Sequence, residues 1–162
     1  MIKQIYTAIT SQFQYITGTT ISQIGLYNSQ FDYLGDNDKT AKETVVFPCL
    51  LVEFIGDITY MPLSLNVQQT DECIIRIHIG TDTSLVDNDT SIFDLKDEVH
   101  TVLQGFSQQG FNKLFRVAER QDVNHSNINK WEIDYKTAFR DYSTYLYPNT
   151  TTITGTTITY SI

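Results

Sequence analysis

Trp131, Ile133, Tyr135, Thr137 and Phe139 alternate without a break with Glu132, Asp134, Lys136, Ala138 and Arg140. Successive side chains of a strand point to opposite faces, so this stretch predicts a strand with one apolar and one charged face. Such a strand needs a sheet around it and a cover on one side. Val45 to Phe54 reads Val-Val-Phe-Pro-Cys-Leu-Leu-Val-Glu-Phe, a nearly continuous apolar run suited to a strand buried on both faces, with Pro48 at its start or at a bulge. Ile58 to Val67 is a second extended piece and Glu72 to Ile79 a third. In the third, Cys73, Ile75, Ile77 and Ile79 form an apolar face, and Glu72, Ile74, Arg76 and His78 a mixed one. Leu114 to Asp122 reads as a strand and Val123 to Lys130 as a polar turn.

Two stretches change period. Ile2, Ile5, Tyr6, Ile9, Phe13 and Ile16 recur at steps of three or four, which predicts a helix ending before Gly18. Asp87-Asn88-Asp89-Thr90-Ser91 supplies N-cap formers ahead of Ile92, Leu95, Val99, Val102, Leu103 and Phe106 at helical spacing, with Gly105 in a C-cap role. Between them, Ile21 to Phe31 has the short apolar stretches of a first strand, and Gly35 to Lys39 is a polar loop. The order is α–β–β–β–α–β–β, an α+β domain over residues 1–147. Its mixed or antiparallel sheet carries two main helices on one face.

Residues 148–162 form a C-terminal extension of different character, rich in Thr, β-prone and uncharged apart from the terminus. Left as a free edge, such a segment aggregates, so it is expected to pair within the domain or on a neighbour's sheet. Thr151, Ile153, Thr157, Ile158, Tyr160 and Ile162 are its candidate interface residues. The hexapeptide Ile-Thr-Gly-Thr-Thr-Ile occurs at 153–158 and at 16–21; six residues are too few to argue duplication.

Composition narrows the function. With 162 residues and 18.6 kDa, one core removes about 70% of the unfolded surface from water. The balance of 11 Lys+Arg against 19 Asp+Glu gives −8 and no basic stripe, which argues against sequence-reading of nucleic acid. A charged fraction of 19% leaves much surface to uncharged polar residues or to subunit contacts. The N-terminus lacks the apolar core of a signal peptide and no apolar run reaches the length of a membrane span, so a soluble, cytoplasmic protein without membrane contact is expected. Cys49 and Cys73 make no CxxC and have no His at ligand spacing; they read as buried thiols of a reducing compartment, and a disulfide stays open if they fall on adjacent strands.

Chemical motifs are weak. Asp87, Asp89, Ser91 and Glu98 stand at positions 1, 3, 5 and 12 of an EF-hand count, but Ile92 occupies the position that needs glycine, and helix capping accounts for the same residues. Asp94, Asp97 and Glu98 read as a solvated helix face. His78, His100 and His125 have no second histidine at short spacing, so no metal site is expected. There is no GxSxG and no phosphate-cradling glycine loop. Neither catalytic residues nor a cofactor are expected. Arg116, Glu119, Arg120 and Asp122 read as an exposed strand face forming cross-strand ion pairs.

Several stretches together resemble a known family. Phe47-Pro-Cys-Leu-Leu-Val-Glu-Phe54 is similar to a strand, and Phe93 to Gly105 to a helix, of the small head-to-tail joining proteins of tailed bacteriophages. Arg116-Val-Ala-Glu-Arg-Gln-Asp-Val-Asn-His-Ser-Asn-Ile128 and Trp131 to Asp141 resemble their final turn and strand. The likeness runs from Pro48 to Asp141. It implies a tail terminator or neck ring protein of the virion, assembled in the host cytoplasm as a homo-oligomeric ring. A hexamer is usual, and the long C-terminal extension leaves a dodecamer open. Its partners would be copies of itself, the neighbouring neck or tail tube proteins, and DNA that passes without sequence recognition.

In such a ring, loop acids facing the lumen would repel passing DNA, with Asp36, Asp38, Asp87 and Asp89 as candidates. The competing class is a small acidic monomeric or dimeric module, such as an inhibitor, that covers a basic partner.

Overall fold

The computed structural model describes residues 1–33, 45–64, 67–82, 91–122 and 128–142, together with the backbone of 152–153 and 156–157. The first helix, α1 (Ile2–Gln12), continues into a 3-10 turn at Phe13–Tyr15, so the apolar stripe that starts at Ile2 stays helical almost to its end. Ile5, Ala8, Ile9 and Phe13 are buried by it. The strands are β1 (Gln23–Leu26), β2 (Cys49–Ile55), β3 (Met61–Ser64), β4 (Val67–Asp82), β5 (Phe115–Asp122) and β6 (Ile128–Asp141), with α2 (Ser91–Leu103) between β4 and β5. Among the described residues four strands precede α2, one from each of the four extended pieces of the sequence, where the expected order counts three. Both the short piece after α1 and the short piece before β4 pair into the sheet, which lengthens the expected order by one strand.

The sheet runs β1-β2-β4-β6-β5, with β3 on the free part of β4. Only β1 and β2 are parallel; the other pairs are antiparallel. The fold is α+β with a mixed sheet. Cys49, Leu50, Leu51 and Val52 are all fully buried, as a central strand's apolar run requires, and Pro48 stands just before the strand, where it removes no ladder donor. β4 is twice the length expected from Glu72–Ile79. By contrast, the extended piece Ile58–Val67 contributes only β3, whose four residues are all exposed. Its side chains lie outside the core because β3 pairs with the end of β4 beyond the reach of the helices.

Helix packing defines the two faces. Ile5, Ile9 and Phe13 together with Ile92, Leu95, Val99 and Leu103 of α2 form one cluster with Leu50, Val52, Ile75, Ile77, Ile79, Ile133 and Tyr135 of the sheet. Gly105 ends α2 at φ 76, a left-handed conformation that glycine adopts without strain, and its N–H donates to Leu114 O at 2.8 Å. On the opposite face a smaller cluster of Phe31, Val45, Cys49, Leu51 and Ile128 covers one end of the sheet.

Cys49 and Cys73 do fall on adjacent strands, but they belong to different clusters on opposite faces, and both are free thiols. Alternation along neighbouring strands separates them, so no disulfide joins them. In the C-terminal extension, Thr152–Ile153 pairs antiparallel with Thr156–Thr157 as a two-stranded sheet separate from the main one.

Candidate functional site

The sheet face away from the helices carries a charged network where sequence reading placed only a mixed face. Register explains it. Arg76 of β4 stands opposite Asp134 of β6, His78 opposite Glu132, and Arg120 of β5 opposite Glu132, while Asp122 stands opposite Lys130. Arg76 grips Asp134 with two bonds, Nε to Oδ1 at 2.7 Å and Nη2 to Oδ2 at 3.1 Å. Lys130 Nζ lies 2.9 Å from Asp122 Oδ2 and 3.0 Å from Glu132 Oε1. Arg120 pairs with Glu132, and Arg76 Nη1 reaches the same carboxylate at 3.5 Å.

His78 sits inside this network. Its Nε2 is 2.8 Å from Glu53 Oε2 on β2, and its Nδ1 is 3.2 Å from Glu132 Oε1 on β6. The imidazole thus bonds to β2 and stands against the Glu132 carboxylate of β6. Tyr27 stacks on it with ring centroids 3.8 Å apart, and Lys130 Nζ lies 5.4 Å from the Tyr27 ring and 5.3 Å from that of Phe31. The chain following β1 therefore closes one end of the network with aromatic rings.

Burial alone pushes the Glu132 carboxyl up, but hydrogen bonds and charge from His78 and Lys130 outweigh it and hold the group below the ordinary carboxylate range. A general acid needs the opposite shift. Glu132 is a permanent counter-charge and acceptor, and the network's chemistry is that of a clamp between strands. The Arg76 guanidinium is likewise held charged, chiefly by its hydrogen bond to Asp134. Complementary charges on Glu72–Ile79 and Trp131–Arg140 were the available sequence signal; their register was not.

The remaining sequence candidates separate. Two of the expected cross-strand ion pairs of β5 are present, Arg120 with Glu132 and Asp122 with Lys130, whereas Arg116 Nη1 pairs within β5 with Glu119 Oε2 at 2.6 Å. Asp94 and Asp97 are exposed as expected, whereas Glu98 is half-buried against Gly18, so close that a Cβ there would lie 1.9 Å from its Oε1. A small residue at 18 is what lets the α2 side chain fold inward. His100 Nδ1 is 3.3 Å from the Tyr135 hydroxyl, far from His78's network on the other face. Asp36, Asp38, Asp87, Asp89 and His125 lie outside the described residues, as do Thr151, Ile158, Tyr160 and Ile162; Ile153 and Thr157 are described by backbone alone. No group of three or more His, Cys, Asp or Glu is placed to hold a metal ion among the described residues.

The sheet ends in two open edges. β1 and β5 are its terminal strands, and among the described residues no further strand pairs with their outer sides, where Gln30 Nε2 donates to Leu26 O at 2.8 Å and the Arg116 N–H donates to Gln104 Oε1 at 3.0 Å. Ile24 and Leu26 on β1 are 42% and 53% exposed, and Phe115 and Val117 on β5 are 53% and 52% exposed. Apolar side chains thus stand in solvent at both ends of one sheet.

This fold is found in a virion. A chain of the "Virion of native gene transfer agent (GTA) particle" is similar with a TM-score of 0.51 at 11% sequence identity, over 85% of this chain and 95% of that one. No family model and no curated protein matches the sequence. At that identity the likeness concerns the course of the backbone. It spans nearly the whole of the virion chain.

Proposed function

We propose that this chain is a structural protein of a tailed-phage-like virion, a subunit that assembles with copies of itself into a ring at the head–tail junction. It acts there as a tail terminator or neck connector through which DNA passes. The observation that carries this reading is the backbone likeness to a chain of a virion particle over 85% of the length. The open sheet edges support it, because a strand with unpaired amides and half-exposed apolar side chains is costly unless a neighbour covers it. Each subunit offers its edges and the 148–162 extension to the next. The net charge of −8 suits a lumen that must not hold DNA, and the loop acids Asp36, Asp38, Asp87 and Asp89 are the groups we assign to it.

Native mass measurement of the purified chain tests this reading. Six or twelve copies are expected, with a central opening in negative-stain images. A stable monomer at micromolar concentration that binds a basic protein would replace the ring with an acidic covering module. Deleting the residues after Pro148 is expected to weaken assembly while the core still unfolds cooperatively.

A further inference from the structure

From the two open edges we infer that the ring is closed by its sheet, with β5 of one copy adding antiparallel to β1 of the next. This rests on the ring reading and names the seam. Direction is the first reason. β1 is parallel to β2, and each step from β2 through β4 and β6 to β5 reverses the chain, so β1 and β5 run in opposite senses at opposite ends of one sheet. Set side by side in a second copy, they meet as an antiparallel pair and the sheet continues with its helices on the same face. Because the two edges differ, the contact is head-to-tail, the type that generates rings.

Main-chain amides are available on the β1 side, although the Leu26 carbonyl is already held by Gln30 Nε2 at 2.8 Å. The N–H of Gln23 donates to Pro48 O and that of Tyr27 to Val52 O, both toward β2. Alternation then turns the amides of Ile24 and Leu26 away from the sheet. These are the two residues of β1 whose side chains stand exposed, on the helix side of the sheet, and a neighbour's half-exposed Val117, at the bulge beside Arg116 and Tyr135, offers them an apolar partner, whereas Phe115, opposite Lys136, faces the other side.

Charge favours the same seam. A chain of −8 repels its copies almost everywhere, yet β1 has no charged residue, and β5 has two cations and two anions. All four are engaged inside the subunit: Arg116 with Glu119, Arg120 with Glu132, Asp122 with Lys130. They lie over the faces of the sheet and leave the rim neutral. The register shift between Arg116 and Ala118 leaves Val117 as the extra residue, half-exposed at the edge. The remaining free edge, β3, carries Pro62, which has no N–H to give, and its own register shift, both devices that discourage pairing.

Two blocked chains test the seam. One carries Ile24→Lys with Leu26→Lys, the other Val117→Lys; all three side chains are at least two-fifths exposed, so the core is untouched. Each alone is expected to be monomeric, with self-association weakened about tenfold or more. Mixed, they retain one good edge each and are expected to form a 1:1 heterodimer that grows no further. A blocked chain that still makes rings alone, or a dimer of either chain with itself, overturns the β1–β5 seam while leaving the ring. A parent chain that never self-associates overturns both. If lysine unfolds either chain, Leu26→Cys and Val117→Cys chains replace them: oxidation is expected to cross-link the mixture and neither chain alone, and the reverse pattern overturns the seam.

Discussion

His78 holds its Nε2 2.8 Å from Glu53 Oε2 while its other ring nitrogen faces Glu132, so one imidazole spans β2, β4 and β6. Removing it leaves two carboxylates facing each other and strips Tyr27 of its stacking partner. His78→Ala is expected to cost about 1–3 kcal/mol of unfolding free energy, since it removes a buried hydrogen-bond partner of Glu53 and the aromatic stack with Tyr27. Urea denaturation of parent and variant at neutral pH measures it.

Acid should find Glu132 next. Its folded pKa lies below the ordinary carboxylate value, so its stabilisation is fully present above the unfolded pKa of about 4.3 and is lost as pH falls toward the folded value. Glu132→Gln is expected to lower stability at neutral pH and to flatten the decline below about pH 4.3. Denaturant midpoints of both proteins across the acid range give the two slopes; parallel slopes would remove Glu132 from the acid response.

Gly80 leaves no room for a side chain. A Cβ there would lie 2.9 Å from Cys49 Sγ and 2.9 Å from the Phe31 ring. Gly80→Ala should therefore displace Phe31 from its place over Lys130 and cost about 1–3 kcal/mol, the range for overpacking. A companion Phe31→Leu substitution is expected to recover part of the loss, which a double-mutant cycle resolves.

The thiols should be silent in the folded protein. Burial pushes Cys49 up to about 12, against a small opposing hydrogen bond from Gly80, and pushes Cys73 up to about 11. At mildly alkaline pH neither is a thiolate, so a chromogenic disulfide reagent is expected to titrate no thiol in native protein and both after addition of denaturant. Rapid labelling of the native chain would show that one cluster opens on its own.

Local patterning made most of the elements legible. The 3.6-residue spacing from Ile2 to Phe13 and from Ile92 to Leu103 encodes both the helix and its buried side, and the two-residue alternation from Trp131 to Phe139 encodes the strand and its two faces, though both faces are buried at Glu132–Tyr135. The apolar run at Val45–Phe54 in the same way marked a strand covered on both faces.

What the chain could not disclose locally was register. Arg76, His78, Lys130, Glu132 and Asp134 are unremarkable polar residues one strand at a time; they become a buried network only when β4 and β6 align over more than a dozen residues far apart in sequence. The same tertiary alignment sends Cys49 and Cys73 to opposite faces, folds Glu98 onto Gly18, and leaves β1 and β5 with no further strand beside them among the described residues. Periodicity specifies which way a side chain points along its own strand. Only the pairing of strands decides what it meets, and which edges remain for another molecule.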